Sequence, residues 1–516
     1  MVVGLQALAG HPQVPVYTAL ALGLYALFRA AERWRSSGDW RWLYRLPLRL
    51  AGIYLLGYGL AAIQLAPWIE LGSLSPRAAG ASFDFVFGGS MDGSNWLLLL
   101  FPYLYGSLRP GPYGTQAMDI IMAVQTWEHS AYIGILPLAL AAYALLGLYP
   151  RWNVQTFKRS NVRTLNSRWF SLCYFALLLV AALALAAGKH TPLAGLIYAA
   201  PVIGKLRDVE RAMALAAFAL AALAALGLQR LAERGERHED VRRPALLAIA
   251  SATVLLPLGV VLLAPQPWFR RAMLLSPQTA ANLQLERLNA AVPLALALLA
   301  AALLLWWSRR PATPISQALA AGLVLLDMGS YAAAFNPIAD PNLYSRRPDV
   351  LAALESDGAP FRKATFLPSN DLDNRTAQET LAVSWGMVYG VEDINGFNSL
   401  QPRRYTDYLF GPEVDDVSYG LLSDERLLQA ESPILSALNV KYLLVPGNTH
   451  PHIGANYRQI YENGQVRVYE NPQVYPRAFF AEAVRGEPDS HAVLRAVTAD
   501  GFDGRRLALV ESPEPP

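Results

Sequence analysis

The chain has 516 residues, of which 53% are hydrophobic and 16% charged, with a mean hydropathy of +0.24 and a formal net charge of +3. That composition excludes a disordered chain, a collagen-like chain and a disulfide-stapled secreted module. The single cysteine, Cys173, can form no internal disulfide and supplies no Cys-based metal site.

The average conceals two halves. Residues 1–334 carry 27 Lys+Arg against 15 Asp+Glu, a net of +12, whereas residues 335–516 carry 16 against 25, a net of −9. A basic, Ala/Leu-rich half followed by an acidic, mixed half reads as a polytopic α-helical membrane domain, 1–334, joined to a soluble α+β domain, 335–516. The excess basic charge lies between hydrophobic segments, so it makes no case for a nucleic-acid partner.

A bilayer core takes about 20 apolar helical residues. Eight segments fit: 14–30, 50–68, 130–149, 169–187, 212–229, 245–264, 290–307 and 315–334. Segments 212–229 and 290–307 are apolar on nearly every face, which does not suit a helix in water. A shorter run, 192–202, contains Pro192 and Pro201 and reads as re-entrant or interfacial.

The connectors sort by charge. Those at 31–49 with Arg29, 150–168, 230–244 and 308–314 hold 18 basic residues in about 60 positions, against nine in about 110 for those at 69–129, 188–211 and 265–289. Positive charge stays cytoplasmic. The first set is therefore expected on the cytoplasmic side, with the N-terminus and everything after Ala334 outside. The start is awkward, because Met1 to Gln13 would lie outside without a basic leader region.

Beyond Ala334 apolar runs shorten and Pro, Asn, Asp and Tyr become common. Helices are expected at 350–355 and 424–438, and strands at 440–445, 459–462, 466–470 and 478–483. Asn463-Gly464 signals a hairpin turn, since both residues tolerate positive φ.

The informative polar residues fall at the expected outer ends of the spans: Glu70, Arg77, Glu128, His129, Arg207 and Arg211, with Asp208 and Glu210 in the same string. Charges beside apolar walls at a membrane surface are functional candidates; the competing reading is that Glu128 and Arg211 are helix-end anchors. The 69–129 loop is long and carries Trp96, Phe101, Tyr103, Tyr105, Tyr113 and Trp127 with several glycines. That pattern suits either an interfacial aromatic belt or a surface that stacks on sugar rings. Asp327 is the sole acid inside an expected span and lies toward its outer side, so a buried hydrogen-bonded role or proximity to water suits it better than a proton relay. No phosphate-binding loop, zinc-protease motif or nucleophile elbow is present.

Several strings together resemble the YfhO-type bacterial membrane proteins. They are Gly10-His11-Pro12-Gln13, Gln64 to Glu70 with Ser75 and Arg77, Glu128 to Gly134, and Thr191-Pro192-Leu193 leading to Arg207 and Arg211. In the acidic half, Tyr389 to Phe397, Pro402-Arg403-Arg404-Tyr405, Leu438 to Tyr442, Tyr469-Glu470-Asn471 and Pro476-Arg477-Ala478 are similar. The resemblance implies a fold like that of the GT-C glycosyltransferases, which move a sugar from a polyprenyl-phosphate carrier to an acceptor outside the cytoplasmic membrane. The implied partners are a lipid-linked sugar, a cell-envelope polymer and membrane lipid.

Under that resemblance Arg77, Arg207 and Arg211 would face the phosphate. Glu70, Glu128 and His129 are the catalytic candidates, and either Glu would orient a sugar or hold a divalent metal. Two departures stand out. The family's catalytic acid precedes residue 1, so the chain reads as the C-terminal part of a longer protein, active or inactive. Val209 also stands where the family usually has Pro. The alternatives are a transporter or flippase for a lipid-linked precursor, and a non-catalytic envelope scaffold. Spans nearly free of charge and without a repeat rank the transporter lower.

Overall fold

The computed structural model describes residues 1–106, 126–148, 162–232, 239–264, 266–272, 287–310, 313–336, 341–354, 360–368, 374–382, 384–396, 400–412, 422–429 and 432–513. Two compact units emerge: Met1–Leu65 with Ala81–Ile338, and Ala66–Gly80 with Ala339–Pro516.

Small side chains set the helix spacing in the first unit. Its main helices are α1 (Val2–Leu8), α2 (Gln13–Ser37), α3 (Trp42–Leu60), the start of α4 (Ala62–Ser73), α5 (Ile135–Leu145), α6 (Val162–Ala187), α7 (Met213–Ala232), α8 (Glu239–Leu263), α9 (Arg287–Arg309) and α10 (Pro314–Phe335). Helices α5 and α7 meet through Ala139, Ala144, Ala216, Ala219, Leu220 and Leu223, all buried. At Gly227 a Cβ would stand 2.1 Å from the Leu140 carbonyl oxygen, so only glycine permits this approach. Close backbone contact through Gly and Ala is how helices associate where the surroundings are as apolar as the side chains. The outward faces keep large apolar residues such as Leu55, Leu56, Val180, Leu255 and Leu325, each more than 60% exposed.

Among the described residues six helices, α2 and α6 to α10, are long and apolar enough to cross a membrane, or seven if α3 and α4 form one bent span. This is consistent with a multi-pass membrane protein.

Two of the eight expected spans are altered. Segment 50–68 is broken at Ala61, where α3 and α4 meet at 85°. The Ala61 N–H bonds back to Gly57, and its carbonyl accepts from Gln64 and Leu65, so one helix ends and the next begins on the same residue. Segment 130–149 contains only the 11 residues of α5 and a short 3-10 turn, Leu146–Leu148, among the described residues. Gly134, at φ +92°, holds the chain out of helix until Ile135. The start of α5 is then capped from α10: Asp327 accepts the Ile135 N–H at 2.9 Å and the Tyr132 hydroxyl at 2.6 Å. Asp327 thus has the hydrogen-bonded structural role that its position suggested. The 192–202 run forms a six-residue helix, Ala194–Ala199, with Leu193, Leu196 and Val202 exposed beside it.

The second unit is built on four strands, β1 (Arg362–Thr365), β2 (Val440–Pro446), β3 (Arg458–Glu462) and β4 (Val466–Glu470), in a sheet of order β1-β2-β4-β3. Strand β1 runs parallel to β2, and β4 pairs antiparallel with both β2 and β3. Along β2, Leu443 and Val445 enter one core while Tyr442 and Leu444 enter another. Cover on both faces explains why this strand is one apolar run. A second pair, β5 (Ala483–Gly486) and β6 (Leu507–Val510), is parallel and connected through α12 (Ser490–Val497), while α11 (Arg403–Phe410) precedes them in sequence. The 66–80 segment belongs here: the Leu74 carbonyl accepts the Arg403 N–H at 2.7 Å.

The sequence expectations needed local correction. The strand expected at 478–483 starts instead at Ala483, paired with a β6 that carried no strong signal. The helix expected at 424–438 is two short pieces, Glu425–Leu428 and Ile434–Ala437, with Pro433 heading the second. The Asn463-Gly464 hairpin exists, but neither residue takes positive φ. Instead the Asn463 side chain accepts the N–H groups of Gln465 and Val466.

Candidate functional site: charged groups at converging helix ends

A short 3-10 turn, Val209–Ala212, feeds α7 and is entered through Asp208 at φ +59°. Asp is among the few side chains that tolerate this conformation. The turn sets Asp208 and Arg211 three residues apart and facing each other, with Arg211 Nη2 3.1 Å from Asp208 Oδ2. Arg211 Nε lies 3.0 Å from Glu128 Oε1, and Nη1 donates to Gln13 Oε1 at 2.8 Å. His11 Nε2 is 3.5 Å from the same Nη1.

The Gln13 amide ties the arrangement together. Its Nε2 donates to the carbonyls of Arg207 at 2.7 Å and Asp208 at 3.0 Å and to the Tyr17 hydroxyl at 2.9 Å. Arg207 has its Nε 3.3 Å from Asp208 Oδ1 and its guanidinium over the Phe85 ring at 5.3 Å. The start of α2, the Glu128 segment and the entry to α7 therefore converge, although they lie as much as 198 residues apart in sequence.

Two buried groups adjoin this cluster around Gly89. His129 Nε2 donates to the Gly89 carbonyl at 2.8 Å, while Nδ1 finds no partner among the described residues. Glu210 is fully buried, and neither carboxylate oxygen accepts a hydrogen bond among the described residues. A Cβ on Gly89 would lie 2.1 Å from Glu210 Oε1. Glycine is thus the one residue that lets the carboxylate sit there.

Burial holds the His129 imidazole below its ordinary pKa, with its bond to Gly89 and nearby carboxylates opposing. The folded protein then binds fewer protons than the unfolded chain just below the ordinary imidazole value of about 6.5, so stability falls as pH drops through that value. We expect the melting temperature of the detergent-purified protein to fall between pH 7 and pH 5, and the fall to shrink in His129→Gln, which keeps a donor for Gly89. An equal fall in both proteins would show that His129 is not the group responsible.

Of the six residues singled out by sequence, Arg207, Arg211 and Glu128 come together, with His129 adjoining through Gly89. Glu70, exposed on α4, and Arg77, on the 3-10 turn Pro76–Ala79, belong to the second unit. Among the described residues no group of three or more His, Cys, Asp or Glu could hold a metal ion. A divalent metal on Glu70 or Glu128 therefore lacks a ready donor set there.

The aromatics of the 69–129 loop divide, with Trp127 exposed and Trp96 partly buried. Phe101, Tyr103 and Tyr105 are buried, and the Tyr105 hydroxyl bonds to Ser94 at 2.6 Å. Those three pack the interior; Tyr113 lies outside the described residues. Gln13, Tyr17 and Gly89 were missed. The one available signal was a Gln and a Tyr a single turn apart at the start of an apolar span. No family model, curated protein or solved structure matches the chain.

Proposed function

We propose that this chain is a GT-C-like envelope glycosyltransferase, acting on a polyprenyl-phosphate sugar at the outer face of a bacterial cytoplasmic membrane, with its C-terminal unit on that same side. The observation that supports the reading is the convergence of Arg207 and Arg211 with Glu128 and Asp208 at the N-terminal ends of α2 and α7. Helix N-termini and guanidinium groups both favour a phosphate.

In this reading Arg207, held against Phe85 with its side chain about a quarter exposed, meets the carrier phosphate. Arg211 is a positioning residue that fixes Glu128, whose carboxylate orients the sugar. The bond from the sugar's anomeric carbon to the phosphate oxygen breaks, the phosphate leaves with the electron pair, a bond from the anomeric carbon to the acceptor's hydroxyl oxygen forms, and the hydroxyl proton passes to the departing phosphate.

One observation favours a different reading, a non-catalytic scaffold. Arg211 directs its donors to Glu128, Asp208 and Gln13, all within the protein, as a structural clasp would. Nothing comparable favours a transporter.

Arg207→Ala separates the two readings, since Arg211 and its partners remain. Under the glycosyltransferase reading the variant, expressed at normal levels, loses sugar modification of the envelope polymer, read by mass spectrometry of the purified polymer. Unchanged glycan at normal expression overturns it.

A further inference from the structure

The second unit holds a cleft of about 630 Å³, lined among others by Arg362, Met387, Glu392, Asp393, Asn395 and Tyr405. That volume falls within the range of about 300–1,000 Å³ typical of small-ligand sites. We propose that this cleft binds a neutral saccharide. The inference does not depend on the glycosyltransferase reading, because every group it uses lies in the second unit.

The floor is rigid. The 391–396 segment runs beside β1: the Lys363 N–H donates to the Glu392 carbonyl at 2.9 Å, and the Ile394 N–H to the Lys363 carbonyl at 3.1 Å. Beneath it the fully buried Lys363 side chain pairs with Asp393 and donates to Thr365 Oγ1 at 2.7 Å. Asn395 Oδ1 accepts the Thr365 N–H at 2.9 Å, and the Tyr405 hydroxyl donates to the Ile394 carbonyl at 2.8 Å. A site held this way is preorganised for a ligand and loses little entropy on binding one.

The chemistry of the walls selects the class. Each charged group the cleft presents is already matched by its opposite. Glu392 sits 3.5 Å from Arg362 Nε and 2.8 Å from Arg477 Nη2, and Asp393 is answered by Lys363. A charged ligand would have to break one of these pairs. A purely apolar ligand would cover the polar groups without replacing their water, leaving each buried and unsatisfied.

What remains is a neutral molecule dense in hydroxyls, each able to donate to a carboxylate and accept from a neighbouring guanidinium. Met387, 79% exposed at the lip, offers an apolar edge for the C–H face of a sugar ring. The string from Tyr389 to Gly396, conspicuous in the sequence and unused by the charged cluster of the first unit, finds its use here.

The test is saturation-transfer NMR on the full chain in a detergent without a sugar headgroup. The probes are neutral trisaccharides of glucose, galactose, mannose and N-acetylglucosamine, with trigalacturonate as the acidic comparison. We expect transfer to at least one neutral trisaccharide, with affinity lowered about tenfold or more by Glu392→Ala, which removes a charged acceptor, and by Met387→Trp, which fills the lip. Both side chains are exposed, so the fold should survive their replacement. Transfer to no neutral probe, stronger transfer to trigalacturonate, or affinity unmoved by both variants overturns the proposal.

Discussion

Lys363→Met is expected to lower hydrogen-exchange protection in β1 and β2 by about a hundredfold to several thousandfold in the full chain. Lys363 is fully buried on β1, and the Asp393 side chain is only 10% exposed. Burial alone pulls the lysine below its ordinary pKa and lifts the carboxyl above its own; the pairing of the two opposes both shifts. Methionine fills nearly the same volume but leaves Asp393 without its cation. Removing one member of a buried pair typically costs about 3–5 kcal/mol, much of it the penalty of the stranded charge. Lys363→Met with Asp393→Asn should therefore recover a large part of the loss, since Asn carries no charge and still caps the Asn395 N–H. If the single variant exchanges like the parent, the pair is not a support of the sheet. If the double variant is as unstable as the single one, packing and not charge is responsible.

Arg211→Ala should be nearly as damaging in the first unit. It takes from Glu128 and the buried Asp208 the guanidinium they share and removes the fork that joins α2, the Glu128 segment and α7. The Arg211 side chain is about a quarter exposed, so the expected cost sits at the lower end for a broken buried network, about 3 kcal/mol. For a unit of about 320 residues that corresponds to a melting temperature lower by about 4 °C. The protein carries its own reporter in Cys173, the only cysteine, half-buried in α6. A thiol-reactive dye will label it as the helices open on heating. Arg211→Lys should fall between parent and alanine variant, because a lysine keeps the charge but cannot reach three acceptors in one plane. A melting curve for Arg211→Ala that overlies the parent's would end the idea of a clasp.

Part of this arrangement could be read from residue order alone. The division into an apolar helical half and a mixed half needs only hydropathy and charge. The spans of α2, α7, α9 and α10 needed only length, and the β2–β4 strands only apolar runs bounded by Asn439, Pro446 and the Asn463 turn. The grouping of Arg207, Arg211, Glu128 and His129 was legible because charged groups next to apolar helices have few places to go.

Other features were not legible, each for a local reason. The short α5 depends on one backbone angle at Gly134 and one carboxylate from α10, 192 residues away. The aromatic loop looked like a surface because its composition matches one; packing against Ala264 and its neighbours turned Phe101 and Tyr105 inward. Strand β1 was invisible because a buried lysine breaks the apolar pattern, and its partner Asp393 lies 30 residues away.

Periodicity and charge thus determined which segments are helices, which half is apolar and where ionised groups collect, because burial and solvation act on each residue by type. Tertiary structure alone decided that Glu210 rests on Gly89, that Arg211 is held by Glu128, Asp208 and Gln13, and that Lys363 underlies a cleft. Those outcomes turn on distances of a few ångströms between segments far apart in the chain, and no local pattern encodes a distance.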